Sequence, residues 1–334
     1  MSPTAAAICS GTAAAPASDL LLAEILTGLR APQKYLYPKF FYDERGSELF
    51  DRICELPEYY LTRTEAAILE AHAPPFVRRL GPGVRLVEPG SGSSLKTHIL
   101  LNALVAPAAY VPVDISRSHL MAAARALTVR YPCIEILPVC ADFTQPFDLP
   151  EASIPIRSTL VFFPGSTIGN FDREEAVALL RMMAGLAGRG GLVMVGADLR
   201  KSRAVLEAAY NDAAGVTAAF NLNLLARLNR EFGADFDLDG FEHRAPWVEE
   251  HSRIEMRLVS RCLQRVQIRG VEIGFEAGES IWTESCHKYD CGQFAAMAAD
   301  AGLVVRDVWM DEAQSFSVQL LVVGEGNPHG EQHI

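Results

Sequence analysis

From Val84 onward the chain alternates short β-branched and apolar runs with helical patterns, and no other feature restricts its fold so tightly. The runs are Val84–Val87, Tyr110–Val113, Ile134–Val139, Thr159–Phe163 and Leu192–Gly196. Strands that recur with helical segments between them make βαβ units, and βαβ units make a parallel sheet. Between the last two runs, Asp172 can cap a helix whose Ala176, Leu179, Leu180 and Met183 fall at i, i+3, i+4 and i+7 and which ends near the glycines Gly188 to Gly191. After Asp198 the rhythm stops. A helical stretch over Ala204 to Phe232, then alternating runs at Ile254, Met256, Leu258 and at Val266, Ile268, reads as an inserted second domain. The rhythm returns with a helix from Cys291 to Ala301 and two strands, Leu303–Val308 and Phe316–Val323, spaced to pair antiparallel at one edge.

Composition narrows the partners. With 334 residues, 49% of them hydrophobic, the chain can build about two cores. Thirty basic against 41 acidic side chains leave a net charge of −11, which argues against a phosphate backbone or an anionic membrane and favours a small molecule. The seven cysteines are odd in number and no CxxC pair occurs, so they read as reduced thiols of a cytoplasmic protein. Cys286, His287 and Cys291 lack a fourth neighbour for a zinc site, and no metal is expected. Met1 to Ser18 reads as a loose alanine-rich tail, and no apolar run approaches the roughly 18 residues of a membrane span.

The first strand enters its helix through Leu86-Val87-Glu88-Pro89-Gly90-Ser91-Gly92-Ser93-Ser94, where bare glycines let backbone approach a ligand. A dinucleotide fingerprint needs a third glycine at position 95, and a P-loop needs a glycine before its Lys-Thr pair. Leu95, before Lys96-Thr97, breaks both. A ligand with a ribose but no pyrophosphate remains. Asp114, at the end of the second strand, is placed to accept from ribose hydroxyls; Asp142 can accept from an adenine amino group with Phe143 along the base. The competing reading makes Asp114 and Asp142 ordinary helix N-caps. The fourth strand ends in Phe163-Pro164-Gly165-Ser166-Thr167-Ile168-Gly169-Asn170, where Asn170 can meet a substrate carboxylate.

From about Tyr37 to the C-terminus the chain resembles the histidine Nα-methyltransferases of the ergothioneine pathway. The resemblance is carried by Phe41-Tyr42-Asp43, Leu56-Pro57-Glu58-Tyr59-Tyr60-x-Thr62-Arg63-Thr64-Glu65, the Gly90 loop with Lys96-Thr97, and Gly165 to Asn170. Further along it is carried by Tyr210-x-Asp212-Ala213-Ala214-Gly215-Val216-Thr217, Ala234-Asp235-Phe236-Asp237-Leu238, Arg253-Ile254-Glu255-Met256 and Thr283-Glu284.

The resemblance implies an α/β fold: a class I, Rossmann-like methyltransferase domain over residues 65–199 and 289–326, with a substrate domain over 19–64 and 200–288 and the substrate in a cleft between them. It implies S-adenosylmethionine as cofactor, met by Glu88, Gly90, Gly92, Lys96, Asp114, Asp142 and Phe143. It implies a monomer that methylates the α-nitrogen of L-histidine, three times, to the betaine hercynine. By motif, Asn170 and Tyr210 hold the carboxylate, Tyr42 and the Gly165 backbone lie by the amine, Tyr59 meets the imidazole, and Met256 and Glu284 close that pocket. Cys286 stands where the family motif has serine, and a thiol is the weaker donor. Alternatives are a methyltransferase acting on tryptophan or tyrosine, and a non-catalytic regulatory subunit that binds the same cofactor.

Overall fold

Apolar strands bounded by glycine turns bury both faces only when helices fold back over them, and the computed structural model is built in this way. The structure describes residues 17–92 and 96–324. Residues 1–16 of the expected tail, Leu95 of the glycine loop, and residues 325–326 of the expected methyltransferase domain lie outside the described residues. The described residues divide into two compact units, one made of Leu61–Arg200 and residues 288–324, the other of residues 17–60 and Lys201–His287.

In the first unit the described residues form an eight-stranded sheet of β1 (Val84–Pro89), β2 (Ala109–Asp114), β3 (Glu135–Ile136), β4 (Val139–Cys140), β5 (Ser158–Phe163), β6 (Leu192–Asp198), β7 (Leu303–Met310) and β8 (Phe316–Val323). Their order is β7-β8-β6-β5-β1-β2-β3, with β4 also paired to β2. The strands from β3 to β6 across the sheet are parallel, β8 runs antiparallel to β6, and β7 antiparallel to β8. The chain winds outward from β1 in one direction and then crosses to β5 on its other side. The order therefore reverses between β1 and β5, the point outside whose carboxyl ends α/β sheets hold their ligands.

Val87, Val111, Val161, Phe163, Val193 and Val195 pack against Ala176, Leu179, Leu180 and Met183 of helix Arg173–Ala187 and against Phe294, Met297 and Ala298 of helix Cys291–Asp300. Each of the Val, Leu, Phe and Met side chains among them, fully removed from water, is worth about 1.5–3 kcal/mol. Asp172 caps the first of these helices in a reciprocal box with Glu175, the two bonds measuring 2.9 and 3.0 Å. The third expected strand, Ile134–Val139, is two short pieces: Leu137 N donates to the Tyr110 carbonyl, but the next residue of β2 to return a bond is Pro112, which has no N–H.

The second unit holds a sheet in which Arg253–Ser260 pairs antiparallel with Ser280–His287, with Phe241–Arg244 and with Trp247–Val248, while Lys34–Tyr35 joins Ser280–His287 in parallel. Gln264–Ile268 and Val271–Phe275 form a hairpin through Arg269 and Gly270, both at positive φ (48° and 81°) as a tight primed turn requires. The helix expected over Ala204 to Phe232 is instead two, Arg203–Tyr210 and Val216–Phe232. Asp212 caps the second by accepting from the amides of Val216 (2.9 Å) and Thr217 (2.8 Å), and Gly215 turns the chain at φ +70°.

Candidate active site

In the first unit the glycine loop hangs from the strand ends. Gly90 and Gly92 sit at φ +70° and +47°, where side chains are disfavoured, and the amides of Gly90 and Ser91 both donate to the Val113 carbonyl at 2.8 and 3.1 Å. A Cβ on Gly90 would meet the Phe143 ring at 3.1 Å, so only glycine lets the strand end approach that aromatic face. Phe143 is held edge-on by Phe163 and Phe171.

Asp114 accepts from Gly92 N at 3.2 Å and from Ser116 N at 2.8 Å. It is not the cap of helix Arg117–Arg130, a place that Ser116 occupies. Asp142 likewise caps no helix; its Oδ1 accepts from the amide and hydroxyl of Thr144 at 2.9 and 2.6 Å. The helix-cap reading of both acids therefore fails. Two carboxylates at strand ends, a flat aromatic face and the Lys96 ammonium fit a ligand with a ribose, a base and an amino-acid carboxylate. S-adenosylmethionine is such a ligand, and it brings no pyrophosphate for the loop to cradle.

Glu88 lies beneath this loop, 2% exposed, with Oε2 accepting from the Tyr110 hydroxyl at 2.5 Å and from the Thr97 hydroxyl. Burial pushes its carboxyl up to about 7, against the pull of those two hydroxyls and of the Lys96 charge. Glu88 thus ties the end of β1 to β2 and to the start of the helix that follows the loop. At the end of β5, Gly165 (φ +84°) and Ser166 (φ +57°) turn left-handed, and Ser166 Oγ accepts from Asp198 N at 2.9 Å. Asn170 closes the short helical turn Thr167–Asn170, whose Ile168 carbonyl accepts from the Tyr289 hydroxyl at 3.2 Å. The Gly165 amide is already committed to Glu65, which leaves its carbonyl as the group able to serve a ligand.

The remaining expected residues, Tyr42, Tyr59, Tyr210, Met256, Glu284 and Cys286, belong to the second unit. Met256 and Glu284 are cross-strand partners, as are Ile254 and Cys286, so alternation puts all four on one face of the sheet. Tyr210 Oη lies 2.7 Å from Cys286 Sγ, both side chains buried. The Tyr59 ring stands edge-on to Tyr210 at 6.1 Å and to Phe50 at 6.3 Å, and Phe50 in turn meets Tyr42 at 5.9 Å. Burial raises the Tyr59 phenol well above its usual range, and the nearby Cys54, Cys286, Glu284 and Tyr42 add to the effect, so Tyr59 is a neutral donor and not a base.

Several supports escape sequence reasoning because their partners are far apart in the chain. Asp43, beside Tyr42, caps the following helix through Gly46 N at 2.6 Å and receives Asn223 Nδ2 at 2.8 Å and Arg230. His243 Nε2 lies 2.8 Å from the Tyr210 carbonyl, and Asn221 Nδ2 lies 2.9 Å from its Nδ1. The Asn221 NH₂ can only donate, so the imidazole proton sits on Nε2 and points at Tyr210. Burial holds this imidazole below its usual range even though the Tyr210 carbonyl favours the proton. Glu65 was visible only as the last residue of a motif.

Comparison with known proteins agrees with this architecture. The family described as "Histidine-specific methyltransferase, SAM-dependent" matches residues 21–323. The chain is 42% identical over 316 residues to the histidine N-alpha-methyltransferase of Mycolicibacterium smegmatis, covering 93% of this chain and 97% of that one. It is 42% identical over 302 residues to the enzyme of the same name from Mycobacterium tuberculosis, covering 89% and 93%. It is 29% identical over 261 residues to ergothioneine biosynthesis protein 1 of Neurospora crassa, covering 72% of this chain and 30% of that longer one. With a doubly wound sheet, a glycine loop that does not suit pyrophosphate and a family match across most of its length, the chain belongs to the SAM-dependent histidine-specific methyltransferase family.

Proposed function

We propose that the protein transfers methyl groups from S-adenosylmethionine to the α-nitrogen of L-histidine, three in succession, giving hercynine for ergothioneine biosynthesis. The observation that carries the substrate assignment is the cluster of Tyr59, Tyr210 and Cys286, with Glu284 on the same sheet face and Met256 opposite it. This is a set of neutral donors with one acid, the complement of an amino-acid carboxylate and an imidazole N–H. The two relatives at 42% identity support the same reading.

S-adenosylmethionine, when bound, supplies an electrophilic methyl on its sulfonium; the chain's own residues present the nucleophile. Asn170 and the Tyr210 phenol hold the carboxylate by neutral hydrogen bonds. An α-amino group has a reference pKa of about 8 in peptides and is mostly protonated at neutral pH, so it must lose a proton before it attacks. Tyr42 and the Gly165 carbonyl orient the amine as that proton leaves for solvent. Each transfer forms one N–C bond as one S–C bond breaks, and each of the first two products loses a proton before the next round. Glu284 accepts the imidazole N–H, while the rings of Tyr42, Phe50 and Tyr59 tolerate the growing cation. The enzyme acts as a monomer in the cytoplasm, the location suiting cysteines that form no disulfide among the described residues.

The test is kcat/KM for histidine over tryptophan in parent and Glu284→Ala. Loss of this acceptor should lower the ratio steeply, because the imidazole N–H loses its partner while the space opened beside Met256 relaxes the exclusion of the larger indole. A ratio that moves by less than about twofold, roughly 0.4 kcal/mol, refutes the role of Glu284 and the choice of histidine with it.

A further inference from the structure

Glu65 lies in the first turns of helix Leu61–Arg79 with its side chain 0% exposed. A carboxylate taken wholly out of water persists only with partners that replace its hydration. Glu65 has two, drawn from loops that the chain places far apart. Lys96, at the end of the glycine loop, pairs with its Oε2. The Gly165 amide donates to both oxygens, at 2.8 and 3.1 Å. Lys96 also faces Gly165, since a Cβ on that glycine would sit 3.8 Å from Lys96 Nζ. A further strand makes room for the arrangement: a Cβ on Gly196, inside β6, would fall 1.9 Å from Glu65 Oε1. Glycine inside a buried strand weakens the sheet and marks a close approach, here of one carboxylate.

We propose that Glu65 is a positioning residue for methyl transfer, fixing Lys96 toward the cofactor and, through the Gly165 amide, anchoring the Pro164–Gly165 peptide that leads into the turn facing the substrate amine, with a single carboxylate. This rests on the reading of Lys96 and Gly165 given under the proposed function. The two loops it joins leave β1 and β5, the strands that flank the reversal of sheet order. S-adenosylmethionine carries a net positive charge at neutral pH, so Lys96 without its counter-charge is both misdirected and repulsive. The Gly165 amide held by Glu65 fixes the Pro164–Gly165 peptide plane, and the Gly165 carbonyl, in the next plane, follows from that anchor through the left-handed turn of Gly165 itself, at φ +84°.

The experiment measures S-adenosylmethionine affinity by calorimetry and steady-state kinetics in the full chain for Glu65→Gln, Glu65→Ala, Lys96→Met and the double variant Glu65→Gln/Lys96→Met. Glu65→Gln keeps an acceptor for the Gly165 amide and removes only the charge. It should weaken cofactor binding about tenfold while kcat falls less than about threefold, and Glu65→Ala should lower kcat about tenfold as well. The double variant should bind no worse than Lys96→Met alone, because Glu65 acts on the cofactor through Lys96. If Lys96→Met weakens binding but Glu65→Gln does not, or if the two losses add, the proposal is overturned while the cofactor reading stands. If Lys96→Met leaves binding unchanged, the cofactor reading of Lys96 falls and takes the proposal with it. Gly196→Ala guards against misfolding of the charge variants. It perturbs the carboxylate without changing charge, and its loss of cofactor affinity should largely vanish in the Glu65→Ala background, where of the near contacts only the Phe316 ring, 3.2 Å away, still meets the added methyl. A loss of equal size in both backgrounds overturns the proposal.

Discussion

Replacing Glu88 by glutamine should make the protein more stable at pH 8 and leave it little changed near pH 4.5. Glu88 is 2% exposed and both hydroxyls that reach it, from Thr97 and Tyr110, donate to the same oxygen, Oε2. A glutamine carbonyl oxygen can take that place and keep both bonds, while its amide carries no charge at any pH. Burial lifts the carboxyl from 4.5 to about 7. The folded state therefore holds the proton more tightly than the unfolded state. The stability this group contributes is complete below about 4.5 and is lost as pH rises through about 7. At about 1.4 kcal/mol per pH unit, the interval from 4.5 to about 7 amounts to roughly 3 kcal/mol, as an order of magnitude. Denaturant unfolding of parent and Glu88→Gln at pH 5, 6, 7 and 8 reads it directly, because all other titrating groups cancel in the difference. The difference should move in favour of the variant by a few kcal/mol across that range. A difference flat within about 0.5 kcal/mol would refute the argument from burial. A variant that loses ground as pH rises would show an ionised carboxylate that stabilises the fold.

Asp114→Ala should cost cofactor affinity about 1.5–3 kcal/mol through lost charge-assisted hydrogen bonds, with the fold retained; unchanged affinity by calorimetry in a folded variant rules out its role at the ribose. Cys286→Ser replaces the thiol 2.7 Å from Tyr210 Oη by a shorter and stronger donor, and histidine should bind several-fold tighter. A weaker or equal histidine affinity would show that this position does not serve the imidazole.

The sheet was legible where its strands are buried on both faces and read as near-continuous apolar runs, as in β2, β5 and β6, and in β1 and β8 despite Arg85, Ser317 and Gln319. Pro112, in the neighbouring strand, and Asp212 broke elements that looked continuous, since apolar periodicity carries on where a residue withholds or captures a backbone amide. The glycine loop and the two acids after β2 and Ala141 were legible by their places at strand ends. Tyr42, Tyr59, Tyr210 and Glu284 came from motif resemblance; singly, each has the pattern of an ordinary half-buried or loop residue. The supporting roles of Glu65, Asp43 and His243 were not legible, because what distinguishes them is a partner remote in sequence, as with Gly165 for Glu65 and Asn223 for Asp43. Gly196 was the one local hint, a glycine among the β-branched and apolar residues of β6.

The central claim is that this chain methylates the α-nitrogen of histidine. The full chain incubated with S-adenosylmethionine and each of the twenty amino acids in turn, with products read by mass, tests it most directly. Histidine should gain one, two and finally three methyl groups, with the trimethyl product accumulating and its imidazole unmodified in the fragment spectrum. Methylation of tryptophan or tyrosine with histidine left untouched, or no methyl gain on any amino acid despite tight cofactor binding, would contradict the account.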